Sequence, residues 1–262
     1  MYGGFYDYRI YSHGRLVMPE NDIIIDNEIE PKRCRAGSGW QWINDAFMLY
    51  LRAPLQWSLI TLVAAMAFLL GSSIPVVGWF LGTLLLPLLV GGMVRIARNS
   101  VTNQQPPVLM ELFSTFSEPV ELVKIGLFYI AGVLAIIAIL AVFMFVSFEL
   151  GLIPRPTPEL MKERGLLSMW PFLLMFFSSL AMVYSAYFFA PTLVVLHGFN
   201  ARDALRLSFL GFWRNWRPIL VMGLIGFFLL AVAMLPFMLG LLVALPVMLL
   251  TSYTSYMDIY ED

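Results

Sequence analysis

Six stretches of the chain run apolar for about the length of a membrane crossing, and they come in pairs. Leu55 to Leu70 and Val76 to Ile96 flank an uncharged reversal at Gly71 to Pro75. Val123 to Phe148 and Trp170 to Val195 flank a polar connection, Glu149 to Ser168. Ile219 to Leu235 and Phe237 to Tyr253 meet at Pro236. One helix needs about 20 apolar residues to cross the hydrocarbon core, so the pattern predicts six transmembrane helices in three hairpins. A shorter segment mixing aromatic and charged residues precedes each hairpin: Trp40 to Arg52, Leu109 to Phe116 and Asp203 to Arg217. Asp203 is a candidate cap for the last of them.

The three stretches can be laid over one another. Phe47, Tyr50 and Arg52 share their spacing with Phe113, Phe116 and Glu118, and with Phe209, Phe212 and Arg214: an aromatic, a second aromatic three positions on, then a charge. The second arm of each hairpin carries a proline after a small or apolar residue, at Leu86-Pro87, Ala190-Pro191 and Leu245-Pro246. Recurrence of this kind is a fold-level signal. It predicts an all-α integral membrane protein whose six transmembrane helices form three repeated units, each an interfacial helix plus a transmembrane hairpin.

Residues 1–38 stand apart as a polar cytoplasmic tail, and 39–262 form the membrane domain. In the tail, Phe5 to Tyr11 alternates and Ile23 to Ile25 is β-branched, which predicts either a small β-hairpin or a flexible terminus. Two strands alone are marginal in water. An ordered hairpin would therefore lean on the membrane domain, a second copy or another protein, and Phe5, Tyr6, Tyr8 and Tyr11 are the partner-binding candidates.

Composition agrees with the membrane reading. Of the 262 residues, 60% are apolar and 13% charged, and the mean hydropathy is +0.81; soluble domains carry about twice that share of charge. A net charge of −1 gives no sign of nucleic acid as a partner. The distribution of charge says more than its sum. Of the 16 Lys and Arg, only Arg155, Lys162 and Arg164 lie in the Glu149 to Ser168 connection. The others sit in the tail, the pre-hairpin segments or the remaining connections. Because basic residues near spans stay cytoplasmic, both termini are expected in the cytoplasm and the 149–168 loop in the periplasm.

Chemistry is sparse. No span carries an ionisable group near its centre, where one would mark a proton or ion path. His13 and His197 are too far apart in the chain to suggest a metal site, the lone Cys34 reads as a bystander thiol, and no zinc-type spacing occurs. Ser178, Ser179 and Ser185 share a span with no histidine at their depth, so they read as hydrogen-bonding to neighbouring helices and not as nucleophiles. The span methionines suit Cu(I) in principle, but their spacing reads as packing. Gly78 and Gly82 have the small-xxx-small spacing that lets helices approach closely. Pro87, Pro191 and Pro246 read as tolerated kinks. No cofactor is expected, and no catalytic or metal-binding residue. The candidates for contact with lipid headgroups are Arg95, Arg98, Arg202, Arg206, Arg214 and Arg217, with Trp213 and Trp216 in the headgroup zone.

Gly39-Trp-Gln-Trp42, Ile74-Pro75 with Gly78, Leu86 to Met93, Phe189 to His197, Asp203 to Ser208, and the ending Ser252, Tyr253, Ser255, Tyr256, Asp258 and Ile259 occur here in an order that resembles a family of uncharacterised proteobacterial inner-membrane proteins. More distantly it is similar to the YciC-like proteins and to the membrane domain attached to some glycerophosphodiester phosphodiesterases. The resemblance covers Gly39 to the C-terminus and implies a six-helix inner-membrane protein of a Gram-negative bacterium, with no catalytic residue to carry over. Two functions are expected from these readings: a non-enzymatic accessory or scaffold subunit of an inner-membrane complex, or a transporter or lipid-handling protein without ion-coupling charges. The partners expected are membrane lipids and a protein complex.

Overall fold

The computed structural model describes residues 29–75, 77–151 and 170–261. The tail hairpin, the four tail aromatics Phe5, Tyr6, Tyr8 and Tyr11, and residues 152–169 of the long connection lie outside the described residues. Among the described residues there is no β-strand. The helices are α1 (Ser38–Arg52), α2 (Pro54–Ser72), α3 (Val77–Thr102), α4 (Val120–Glu149), α5 (Trp170–Phe188), α6 (Ala190–His197), α7 (Ala201–Arg214), α8 (Trp216–Met234) and α9 (Leu241–Tyr260), with a 3-10 helix at Leu109–Phe116. Six segments are long and apolar enough to cross a membrane: α2, α3, α4, the α5–α6 pair, α8 and α9.

Local chemistry explains most of the breaks. Pro54 opens α2 at its first position, where no backbone donor is needed. Phe189 leaves the helical ladder to donate its amide to Ser208 Oγ at 2.9 Å, and Pro191 then starts α6. Gly198, at φ +68°, ends α6 in a left-handed cap. The cap of α7 is Asn200, one turn earlier than the expected Asp203: Asn200 is extended and its Oδ1 accepts from the Asp203 amide at 3.0 Å. Asp203 reciprocates by accepting from Asn200 Nδ2 at 2.7 Å. The last span also differs from the hydropathy reading. Phe237 lies in the turn at Leu235 to Gly240 with φ +50°, and α9 starts only at Leu241 and runs on to Tyr260. The Leu239 amide donates to Pro236 O at 2.9 Å, a three-residue turn that closes this reversal before α9 begins.

Packing follows a rule. α1 lies against α8 and α9, the 3-10 helix against α2 and α3, and α7 against α4, α5 and α6. Each pre-span segment thus rests on both arms of another hairpin, and α1 closes the circle by resting on the last one. Ala46, Leu112 and Ser208, each one residue before the first aligned aromatic, are fully buried, whereas Phe47 and Phe113 are exposed. Phe47 and Phe113 therefore face outward and the small or aliphatic neighbour makes the contact, whereas Tyr50, the second aromatic of the first segment, is itself buried. Hydrogen bonds reinforce it: Thr115 Oγ1 donates to Leu88 O at 2.9 Å, Ser208 Oγ to Ser185 O at 3.0 Å, and Thr254 Oγ1 to Trp42 O at 2.7 Å.

Burial is concentrated toward the end where the pre-span segments lie. On the first arms it falls mainly at Trp57 to Ala64, Leu122 to Val133 and Pro218 to Gly226. On the second arms it falls mainly at Pro87 to Ser100, Ser185 to Leu193 and Ala244 to Tyr260. The hairpin ends are largely exposed. Pro87, Pro191 and Pro246 are all buried in the packed part. Gly78 and Gly82 serve hairpin 1 internally, against the backbone and hydroxyl of Ser72.

Two serines depart from expectation. Ser178 and Ser179 donate to Leu174 O and Met175 O, four residues back on their own helix at 2.7 and 2.8 Å, the usual local alternative when no partner faces the hydroxyl. Ser185 does reach a neighbour: its Oγ accepts from Trp213 Nε1 at 3.1 Å. Among the span methionines Met222 is buried, whereas Met182, Met234 and Met238 are exposed.

Candidate functional site

The polar groups of the described chain gather where the C-terminal ends of α3, α6 and α9 meet. Arg98 on α3 reaches Glu261, just past α9, and its Nη1 also lies 3.2 Å from Met257 Sδ. His197 at the end of α6 hydrogen-bonds to the Tyr256 hydroxyl and stands 3.5 Å from Glu261 Oε1. Side chains from all three hairpins therefore enter a single cluster. Tyr256 is fully buried in it and stacks on Tyr260, whose hydroxyl donates to Leu207 O at 2.9 Å. No sequence motif announces this cluster, because the partners that meet from different hairpins lie 59 to 163 positions apart.

A second junction forms around Asn215, between α7 and α8, which is 1% exposed. Its Oδ1 accepts from the Cys34 amide at 2.7 Å, and its Nδ2 donates to Lys32 O at 2.7 Å and to Gly211 O at 3.1 Å. The Lys32 amide in turn donates to Ile259 O at 2.7 Å. Residues 31–36 are thereby strapped across the ends of α7 and α9. Below the strap, Trp42 Nε1 donates to Asp258 Oδ2 at 2.6 Å. Burial, then the neighbouring Asp258 carboxylate, pushes the Cys34 thiol up to about 12.

That shift carries a test. The thiolate is the reacting form, and a raised value keeps the group protonated through neutral pH. Alkylation of Cys34, the chain's single cysteine, is expected to run at least about a hundredfold slower than that of a small free thiol at pH 8. It should recover only on unfolding. A rate within a factor of a few of the free thiol, measured by mass shift in mild detergent, would contradict the strap as described.

The basic residues proposed for the interface divide into two groups. Arg202, Arg206, Arg214 and Arg217 are exposed, as are Trp213 and Trp216, and Arg217 lies over the Trp216 ring at 5.4 Å. Lys32, Arg33 and Arg35 of the strap are exposed as well, and the Asn215 bonds bring the strap to the end of α7. Arg95 is half-buried, and Arg98 is turned onto Glu261. Glu121, at the start of α4, accepts from the Ala201 amide at 2.7 Å and from Lys124 Nζ at 2.6 Å. It thus places a carboxylate at the N-terminus of α7, where the helix dipole favours it. Beside α1 two adjoining clefts open, of about 380 and 400 Å³.

No family model and no solved structure matches the chain. A protein of Burkholderia thailandensis named "Probable inner membrane protein" is 26% identical over 201 residues, which cover 73% of this chain and 73% of that one. With six helices able to span a bilayer, the chain is a multi-pass membrane protein similar in sequence to that bacterial inner-membrane protein.

Proposed function

We propose that this chain is a non-enzymatic accessory or scaffold subunit of a bacterial inner-membrane complex. The observation that carries the reading is the use made of its polar side chains: Arg98, Glu261, His197, Tyr256, Asn215 and Ser208 all tie helices to one another. Tyr256 is fully buried beneath His197, so a substrate has no route to that hydroxyl. Exposed apolar side chains on the hairpin ends and the band of Arg214, Arg217, Trp213 and Trp216 leave surfaces for a partner and for headgroups.

The architecture we infer is three repeated units, each a pre-span segment and a hairpin. The circular packing and the matching burial of Ala46, Leu112 and Ser208 support it. The similarity to the Burkholderia protein supports an inner-membrane location. The excess of basic residues supports cytoplasmic termini and a periplasmic 149–168 loop. The tail aromatics Phe5, Tyr6, Tyr8 and Tyr11 are proposed to contact the partner. The alternative, a lipid-handling protein, is favoured by the two clefts beside α1.

Purification of tagged protein from its native membrane in mild detergent, followed by mass spectrometry, tests the reading. A protein partner in fixed ratio is expected, and it should be lost when residues 1–28 are deleted. That deletion should leave the melting temperature unchanged, because the strap at 31–36 stays. A lone protein carrying one enriched lipid would move the assignment to lipid handling.

A further inference from the structure

The two clefts beside α1 share a wall. Gln41, Asp45, Met48 and Arg52 recur at helical spacing and so lie on one face of α1. The larger cleft is closed on its far side by Asp258, Thr254 and Met257 of α9. The smaller is closed by Gln104, Gln105 and Ser100 beyond and at the end of α3, with Gln56 of α2 beside them. Arg52 and Leu49 line both.

Charge is divided between the two. The larger cleft holds the carboxylates of Asp45 and Asp258 with Arg52; in the smaller, Arg52 is the single charged residue among neutral hydrogen-bonding groups. Among the described residues, none of the three enters an ion pair. One oxygen of Asp258 accepts from Trp42 Nε1 at 2.6 Å, the carboxylate also neighbours the Cys34 thiol, and the side chain lines the larger cleft. Asp45 and Arg52 are seven residues apart on α1, about 10 Å along the axis. A cation and two carboxylates held apart on one groove wall complement a zwitterion. The volumes lie at the lower end of the range for small-molecule sites.

We propose that the joined clefts bind the headgroup of a phospholipid bearing a primary ammonium, the phosphoethanolamine type. Its phosphate meets Arg52 with Gln56 and Gln104, and its ammonium lies between Asp45 and Asp258. A primary ammonium has three N–H donors for carboxylate oxygens, whereas a quaternary one has none and is held by aromatic faces. A headgroup with net negative charge gains at Arg52 and is repelled by the two carboxylates. A lipid is chosen over a soluble ligand because the helix that supplies Gln56 and Trp57 to the smaller cleft is itself a membrane-spanning segment with exposed apolar side chains. Leu55, Leu59, Leu62 and Met66 are all exposed, at helical spacing down α2 directly after Arg52, and offer an acyl chain a path into the bilayer. This inference does not depend on the subunit reading.

The test uses the full-length protein, stripped of lipid in detergent and titrated with phosphatidylethanolamine, phosphatidylglycerol or phosphatidylcholine of identical chains under native mass spectrometry. Phosphatidylethanolamine is expected to bind about tenfold more tightly than either. Asp45→Asn, an exposed position that leaves the fold intact by its melting temperature, should reduce that preference to near unity, and Arg52→Gln should weaken all three lipids. Equal or tighter binding of phosphatidylglycerol to the wild type would overturn the proposal. So would a preference that survives both Asp45→Asn and Asp258→Asn. If glycerophosphoethanolamine, which lacks acyl chains, displaces the lipid at equal concentration, the ligand is a soluble headgroup and the lipid assignment fails.

Discussion

Gly92→Leu is expected to prevent the membrane domain from assembling, and Gly92→Ala to cost about 3 kcal/mol. A Cβ built on Gly92 would stand 2.1 Å from Leu112 O and 2.8 Å from its carbonyl carbon, both backbone atoms of the 3-10 helix. No side-chain rotation relieves such a clash. The 3-10 helix would have to move away from α3, and with it would go the Thr115 hydrogen bond to Leu88 O and the bond from Asn99 Nδ2 to Glu111 Oε2 at 2.8 Å. In lipid, helices gain little from apolar transfer and depend on close packing and polar contacts, so a lost close approach has no hydrophobic reserve behind it. Size-exclusion profile and melting temperature in detergent measure the effect. Gly223→Ala is the control: nothing lies within 4 Å of the new methyl, and helix propensity alone predicts an unchanged or slightly raised stability. If both substitutions behave alike, the close approach at Gly92 is wrong.

The second large effect is expected at Asn215. Asn215→Asp keeps size and shape but replaces the Nδ2 donor with an acceptor facing Lys32 O and Gly211 O. Two buried or half-buried carbonyls lose their donor and confront a carboxylate, at a cost of about 3 kcal/mol. Asn215→Ala leaves the same carbonyls and the Cys34 amide without this partner and should cost nearly as much. Because the strap is held by this side chain, the observable is local as well as global. Limited proteolysis should cut within residues 29–36 in the variant and spare them in the wild type, and Cys34 should become open to alkylation. A variant that melts lower with the strap still protected would place the damage in the α7–α8 junction alone.

Much of the bundle is legible without coordinates. Leu55, Val76, Val123, Trp170 and Ile219 each fall within three residues of where a spanning helix begins, since burying a backbone in hydrocarbon demands an uninterrupted apolar helix. Errors occur at turns. Phe237 is as apolar as any span residue, yet Pro236 and a left-handed backbone at Phe237 and Met238 place it outside both helices, and hydropathy cannot register that. The shared spacing of Phe47, Phe113 and Phe209 is visible in the sequence, but the fully buried residues are Ala46, Leu112 and Ser208 one position earlier, because small and aliphatic side chains fit close helix contacts that a large ring does not.

The polar junctions were out of reach. His197 reads as a lone histidine beyond a span, Glu261 as part of an acidic end, and Arg98 as one more basic residue near a membrane surface. Their meeting requires α3, α6 and α9 to converge. Asn215 likewise gives no signal, since an asparagine between two helices is ordinary turn chemistry.

Sequence alone therefore determined the class of the protein, its six crossings, its pairing into hairpins and the uneven placement of its basic residues. Each of these follows from the cost of placing polar backbone or charge in hydrocarbon, which acts residue by residue along the chain. Only the tertiary structure decided which pre-span segment rests on which hairpin, that α1 closes the circle on α8 and α9, and that Arg52, Asp45 and Asp258 border one groove. Lipid solvates every apolar face about equally well, so the choice of neighbour is left to small residues, backbone approach and a few buried hydrogen bonds, and these are properties of two surfaces together.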